Sequence, residues 1–317
     1  MLIKKPIEIV KAMETRMLSV EKRNKAYWDW INECNQYNPD DYIPFFIDTS
    51  VLGYIHVENA YLFKSQGFEK ENAIFSFSQF QGQEAITFHE TINDFNSRTQ
   101  AANEAAQSWY QSGVISSWVD EQYDVSTGFN KASFFTIERA ASSLLGIKKY
   151  GIHLNAWVEN QGKMYLWVAK RAMDKHTFPG KLDHLVAGGH GTGYCIEETM
   201  IKECAEEANI PEHIAQLSKP VSMVSYVMDN KQKLQQDNLF VYDLQLEPDF
   251  VPENTDGEAE EFYLWPIEKV LDCVAATRDY KINCNLVIID FAIRHGFLKP
   301  DEPYYSEICS GLHHSEL

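Results

Sequence analysis

Long apolar runs are missing from this chain. Nowhere does an uninterrupted apolar stretch approach the roughly eighteen residues that a membrane helix needs, so no membrane span is expected. The N-terminal stretch MLIKKPIEIVKAMETRMLSVEKRNK lacks a central apolar block and carries acidic residues throughout. It therefore does not read as a secretory signal, and a cytoplasmic address is the expectation. Cysteine is sparse: Cys34, Cys195, Cys204, Cys273, Cys284 and Cys309 show no CxxC spacing, which argues against a zinc ribbon or a disulfide framework and for reduced thiols. No basic patch interrupts a net charge of -18, and a field of that sign repels a nucleic-acid backbone, so no nucleic-acid partner is expected. Internal repeats and low-complexity tracts are absent as well, which excludes a solenoid.

What is present suits a globular chain. At 317 residues and 44% hydrophobic content, the length predicts two domains, divided here into residues 1–130 and 131–317. In the first, apolar spacing at Ile9, Val10, Met13, Met17 and Leu18, then Trp28, Trp30 and Ile31, predicts one or two helices. YIPFFIDTSVLGYIHVE predicts two strands about Asp48-Thr49-Ser50, AIFSFSQF another, INDFNSRTQAANEAAQSWYQSG a helix stopped by Gly113, and WVDEQYDV a last strand. The first domain reads as a small α+β unit whose aromatic residues, Trp28, Trp30, Trp109 and Trp118 among them, pack a core of their own or offer an indole to a flat ring.

In the second, FFTIERAASSLLGIKKYG predicts a helix ending at Gly146, and IHLNAWVE and KMYLWVAKR predict a hairpin about Asn160-Gln161-Gly162. PVSMVSYVMD, NLFVYDLQL and EEFYLW add strands, INCNLVIIDFAIRHG a helix stopped by Gly296, and LHHSEL a frayed tail. Helices flanking a mixed sheet are the expected architecture, an α/β (α+β) fold.

An acidic protein that acts on anionic phosphates must gather divalent cations or a few placed Lys and Arg. That requirement points to GGHGTGYCIEETMIKECAEEANI, residues 188–210. With about 100° per residue, Glu203, Glu206 and Glu207 fall within an arc of roughly 100° on one helix, next to an apolar arc of Met200, Ile201, Cys204, Ala205 and Ala208. Like charges at such spacing cost roughly 0.2–0.5 kcal/mol each unless a cation neutralises them; a solvated acidic face is the plain alternative. Upstream, Pro179-Gly180, Gly188-Gly189, Gly191 and Gly193 form a loop whose backbone N–H groups could wrap an anion, at a spacing that matches neither GxxxxGK[ST] nor a dinucleotide GxGxxG.

These residues resemble the Nudix box, G-x5-E-x7-R-E-U-x-E-E-x-G-U, with U a bulky apolar residue. Gly188 takes the first glycine, Glu203 the glutamate after the arginine, Glu206 and Glu207 the paired glutamates, and Ile210 the last apolar position. Tyr194 departs at the first glutamate, Lys202 at the arginine, Cys204 at the apolar slot and Asn209 at the glycine. In the family, that first glutamate and the arginine form an ion pair that orients the loop and helix, so two departures fall on one supporting contact. Asn209 departs least, since Asn tolerates the left-handed conformation that ends a helix. KKYGIHLNAWV, LWVAKRAMDKHTFPGKLDHLVAGG, DGEAEEF and NLVIIDFAIRHGFLKP resemble a Nudix subfamily whose N-terminal domain also occurs beside thiamine pyrophosphokinase in fungal fusions.

The resemblance implies an α/β/α sandwich around a mixed sheet, and hydrolysis of an organic diphosphate linked to another moiety, an acid anhydride. It also implies Mg²⁺ or Mn²⁺ on Glu203, Glu206 and Glu207, and thiamine diphosphate or its oxidised analogues as substrate. A base is implied too, either a box glutamate, Glu206 or Glu207, or an acid before a late strand, where DGEAEEF offers Glu258 and then Glu261. Arg171, Lys175, Lys181, Gly188 and Gly189 are candidates for meeting the phosphates. His176, His184 and His190 are spaced unlike any usual zinc pair, and His153 with Asn155 reads as structural. Two rivals stay open: a catalytically weak diphosphate sensor, and an acidic interaction protein.

Overall fold

The computed structural model describes residues 18–65, 73–175 and 177–314. The apolar positions predicted at Ile9 to Met17, and His176, lie outside them. From the start of the described chain run α1 (Val20–Cys34), β1 (Tyr42–Ile47), β2 (Ser50–His56), α2 (Val57–Ser65), β3 (Phe75–Phe80), β4 (Gln83–Phe88) and α3 (Phe95–Gln111). A short pair, β5 (Gln122–Val125) and β6 (Phe135–Glu138), leads to β7 (Lys148–Asn160), β8 (Lys163–Arg171), β9 (Leu182–His184), β10 (Val186–Gly189), α4 (Ile196–Ala208) and α5 (Glu212–Ala215). The chain closes with β11 (Lys219–Asp229), β12 (Leu234–Gln245), β13 (Ala259–Pro266), α6 (Ile267–Ala276), α7 (Ile282–Arg294) and α8 (Tyr305–Gly311).

Strands β2-β1-β4-β3 make one sheet that shares a core with α3, whose Ala101, Ala102, Ala105 and Ala106 are buried in it and which approaches β6 closely. A second, mixed sheet runs β11-β12-β7-β8-β13, with β7 and β12 parallel from Lys148 beside Gln236 to Trp157 beside Gln245. Along its other edge β7 pairs with β10 over Gly151 to Leu154 and with β8 over Trp157 to Asn160. The β7–β8 turn sits where the sequence predicts it: Gln161 and Gly162 have φ of 53 and 73, the two positive values that a tight hairpin turn demands.

Alternation along β12 sends Leu239 and Val241 to one face and Tyr242 and Leu244 to the other. The first face packs against α6, α7 and α8, the second against α4 and α5, which makes the expected α/β/α sandwich.

Three expectations need correction. Residues 135–146 are not a helix: Phe135, Thr136, Ile137 and Glu138 are all buried in β6, and the Glu138 carboxylate accepts from the Val119 and Ala140 amides, ending the strand in a short turn. The cores do not divide at residue 131. The first continues through Phe135, Ile137, Leu144 and Leu145 to Ile147, while Tyr27, Trp30, Ile31 and Cys34 of α1 join the second, where the Trp30 indole donates to the Val274 carbonyl at 2.7 Å. Finally, the start of LHHSEL is not frayed, since Leu312 is buried and the His314 amide donates to the Ser225 carbonyl.

Candidate active site

Helix α4 begins at a reciprocal cap in which the Cys195 thiol accepts from the Glu198 amide and the Glu198 carboxylate accepts from the Cys195 amide. It ends at Asn209 in the left-handed conformation, φ 52, as the sequence anticipates. Met200, Cys204 and Ala208 are buried against the sheet, and this turns the acidic arc toward the glycine loop. Ala205, assigned to the apolar arc, is exposed.

The three acids differ in setting. Glu207 accepts from the Ala187 amide at 2.7 Å; burial, with the Glu203 charge adding to it, pushes its pKa well above the usual carboxylate range. Glu203 is also raised, first by burial, against the opposing Lys202 charge, with Glu206 and Glu121 adding to the rise. Lys202 does not reach toward Tyr194. Its ammonium lies 3.1 Å from Glu203 Oε1 and 3.0 Å from Glu206 Oε2, so one monovalent cation already bridges two of the acids. Hard oxygen donors converging on a cation fit Mg²⁺ or Mn²⁺.

Gly188 and Gly189 border a cleft, and they also make room for their neighbours. A Cβ at Gly188 would stand 2.3 Å from Glu203 Cδ, and one at Gly189 would stand 2.0 Å from the Tyr123 hydroxyl. Only bare backbone leaves room for the Glu203 carboxylate on one side and for Tyr123 on the other.

Beside the loop opens a cleft of about 550 Å³, bordered by Ala187, Gly188 and Gly189, by Trp118, Tyr123 and Arg139 from the first core's side, and by Lys149, Arg171, Lys175, Lys281 and Glu258. Five cationic side chains face two carboxylates, Asp237 and Glu258, a local reversal of the protein's negative charge. Of the predicted cations, Arg171 and Lys175 are here: Arg171 pairs with Asp183 at 3.0 Å and lies 3.7 Å from Glu258, which Lys175 holds at 2.8 Å. Lys181 is not. Its ammonium donates to the Arg278 carbonyl away from the cleft.

Glu258 reaches the site because its loop folds back on α4, where the Thr255 hydroxyl donates to the Glu206 carbonyl at 2.6 Å. Glu261 stays exposed and accepts from the Tyr263 hydroxyl. Trp118 is the indole that lines the cleft; Trp109 is buried in the first core and Trp28 packs against the second. Sequence reasoning missed Arg139, Lys149 and Lys281, whose only common signal is a convergence created by the fold.

Under the cleft floor His153, Asp183, His184 and Cys284 bring potential ligand atoms within 4.8 Å of one another. Burial lowers the His184 pKa to about 4 and drives His153 well below its ordinary value, while the Cys284 thiol is raised. Burial alone would raise Asp183, but Lys281 and Arg171 outweigh it and hold the carboxyl below the usual range. With two cations already on Asp183, a further positive ion is disfavoured. The group is a hydrogen-bonded support for Arg171 and Lys281, with His153 and His184 sharing a contact of 3.0 Å. His190 is similarly satisfied, by Thr199 at 2.9 Å.

Known proteins resemble this chain both in part and over most of its length. Residues 26–149 match a family model described as a domain of unknown function, DUF4743, a span ending beside the core division at Ile147. Over 297 residues, covering 92% of this chain and 78% of the relative, the sequence is 39% identical to Nudix hydrolase 24, chloroplastic, of Arabidopsis thaliana. Nudix hydrolase 20, chloroplastic, from the same plant is 38% identical over 295 residues, covering 90% of this chain and 77% of the relative. Among solved structures, DR0079 from Deinococcus radiodurans is similar with a TM-score of 0.41 and 22% identity, over 54% of this chain and 98% of that one. With identity at this level over nine-tenths of its length, and with Glu203 and Glu207 packed against the Gly188 and Ala187 that border a cationic cleft, the chain belongs to the Nudix hydrolase family.

Proposed function

We propose that this protein is a divalent-metal-dependent hydrolase of an organic diphosphate joined to another moiety. The observation that carries this reading is a cleft whose cations outnumber its acids in a protein of net charge -18, bordered by Ala187 and Gly188, against which Glu207 and Glu203 pack. Mg²⁺ or Mn²⁺ held by those three carboxylates would neutralise charge on the diphosphate oxygens and lower the pKa of water.

The remaining roles belong to the chain. Arg171, kept rigid by Asp183, and Lys175 face the cleft, where they would hold the phosphate oxygens and leave the phosphorus open to water. Glu258 is the acid that would orient and deprotonate that water. Its ion pairs with Lys175 and Arg171 hold the carboxylate at the cleft, and substrate phosphate would compete for the same cations. Glu207, raised by burial, is the alternative base within the helix. Trp118 offers a flat apolar surface to the group beyond the diphosphate.

For that group, the subfamily resemblance favours thiamine diphosphate or its oxidised analogues. A specific observation also supports the weaker-catalyst reading: Lys202 already occupies the space between Glu203 and Glu206, and a metal must displace it. A panel of thiamine diphosphate, its oxidised forms, ADP-ribose and dinucleotides, assayed with and without Mg²⁺, tests these together. The hydrolase reading expects Mg²⁺-dependent release of a monophosphate that Glu207→Gln abolishes. Tight binding without turnover would establish the sensor, and no turnover of thiamine compounds beside turnover of another diphosphate would remove the thiamine assignment.

A further inference from the structure

The loop from Gly188 to Gly193 borders the cleft at its first two glycines, and inside the box His190 ties it to Thr199 at 2.9 Å. Tyr194 is half exposed and lines a separate recess with Tyr123, Phe129 and His190, while Lys202 is engaged by Glu203 and Glu206. Further support arrives from the segment 121–139. The Thr192 amide donates to the Gln122 carbonyl at 2.8 Å, and the Arg139 amide donates to the Glu121 carbonyl at 2.8 Å. Arg139 and Glu121 also form an ion pair at 2.8 Å, and the Arg139 guanidinium stands 5.8 Å from the centre of the Tyr123 ring.

These side chains press on the glycines themselves. A Cβ at Gly191 would lie 2.8 Å from Glu121 Oε1, and one at Gly189 would lie 3.2 Å from Arg139 Cζ as well as against Tyr123. Gly188, the neighbour of Gly189, is the residue whose bare backbone makes room for the Glu203 carboxylate. Whatever fixes Gly189 therefore also fixes the wall against which Glu203 rests.

We propose that the Glu121–Arg139 ion pair of the N-terminal unit braces the glycine loop in place of the ion pair that Tyr194 and Lys202 cannot form, and that Arg139 is thereby a positioning residue for Glu203. The catalytic consequence rests on the hydrolase reading above; the brace itself does not. The family's domain of unknown function thus supplies part of the active-site frame.

The test uses the full chain as wild type, Arg139→Gln, Arg139→Lys, and Arg139→Gln combined with Tyr194→Glu and Lys202→Arg. Hydrogen exchange at the Thr192 amide reports the loop without reference to turnover. Mn²⁺ affinity by electron paramagnetic resonance reports Glu203, and kcat and KM on a diphosphate that wild type hydrolyses report catalysis.

For Arg139→Gln the expectation is Thr192 exchange faster by about tenfold, Mn²⁺ affinity lower by about tenfold, and kcat lower by about a hundredfold with KM changed less. The lysine variant should keep part of each effect, and the triple variant should recover loop protection because the ion pair is restored within the box. Unchanged exchange and Mn²⁺ affinity in Arg139→Gln, or losses that neither the lysine nor the restored pair relieves, would overturn the proposal. A wild type whose loop protection depends on Arg139 but which hydrolyses no diphosphate would uphold the brace and sink the hydrolase reading.

Discussion

Gly188→Ala separates site geometry from stability more cleanly than removal of a ligand. Gly188 does not have a positive φ, so its backbone accepts alanine, and the exchange should by itself stabilise the chain by about 0.4–1 kcal/mol through the unfolded state. The added methyl, however, would sit 2.3 Å from Glu203 Cδ, 2.4 Å from its Cγ and 2.7 Å from its Oε1. To reach ordinary contact the carboxylate must retreat by about 1 Å, away from the arc it shares with Glu206 and Glu207.

A displacement of that size at a reacting centre is worth about a hundredfold in rate, or about 2.7 kcal/mol of transition-state stabilisation. Gly193→Ala is the matching control. A Cβ there meets nothing within 4 Å, but its φ of 93 is strained for alanine, so that variant should lose about 1–2 kcal/mol of stability without moving Glu203. Thermal melting and Mg²⁺ titrations of turnover on the two variants give the comparison. If Gly188→Ala hydrolyses the diphosphate within threefold of wild type at every Mg²⁺ concentration, Glu203 is not the ligand its packing against Gly188 makes it.

Further outcomes follow from the same geometry. Glu207→Gln should lower kcat by about a hundredfold or more while leaving the melting temperature close to wild type, because an amide oxygen can still accept from the Ala187 amide; circular dichroism melts beside turnover check both halves. Since burial raises both Glu203 and Glu207, protons should compete with metal at a pH above the ordinary carboxylate range; Mg²⁺ affinity then rises with pH until both are ionised, and a pH-independent affinity between pH 5 and 8 would contradict the assignment. Asp183→Asn leaves Arg171 and Lys281 facing each other with no carboxylate between them, at a cost of about 3–5 kcal/mol in urea unfolding. His184, neutral in the folded state with its pKa lowered to about 4, should make stability fall by about 3 kcal/mol as pH drops from 6.5 through 4, because the unfolded imidazole takes up the proton first; a His184→Phe variant should flatten that part of the profile.

Local chemistry made much of this structure legible in the sequence. The Asn160-Gln161-Gly162 hairpin, the acidic helix and the left-handed Asn209 all follow from neighbours within a few residues. Residues 135–146 defeat the same reasoning because Ile137, Ala141, Leu144 and Leu145 satisfy a helical period, while the buried Glu138 that stops β6 finds its partners only through folding. Strand β4 was missed because the Gln81-Gly82 turn, with φ of 51 and 85, was not recognised ahead of it. Allegiances were illegible for another reason: nothing local in α1 says that Tyr27 and Trp30 will pack on α6 and α7. The cleft cations come from β7, β8, the segment around Arg139 and the approach to α7, so their meeting is a property of topology.

That topology bears on what the two units are for. A separable accessory domain would keep its own core and leave the catalytic cleft to its partner. Here the first sheet keeps a core, but the two units are interleaved. Helix α1 precedes the first sheet but is buried in the second core, so the N-terminal sheet is inserted between two parts of one packing unit. The β5–β6 segment then places Tyr123 and Arg139 against the glycine loop and Trp118 in the cleft wall. Cutting the chain near residue 131 would part Tyr123 from Ile137 and Val125 from Phe135, breaking the β5–β6 pairing that carries Glu121 and Arg139. The candidate acids come from the Nudix helix while Tyr123, Arg139 and Trp118 come from the N-terminal side, and relatives 38–39% identical over nine-tenths of the chain match both parts together.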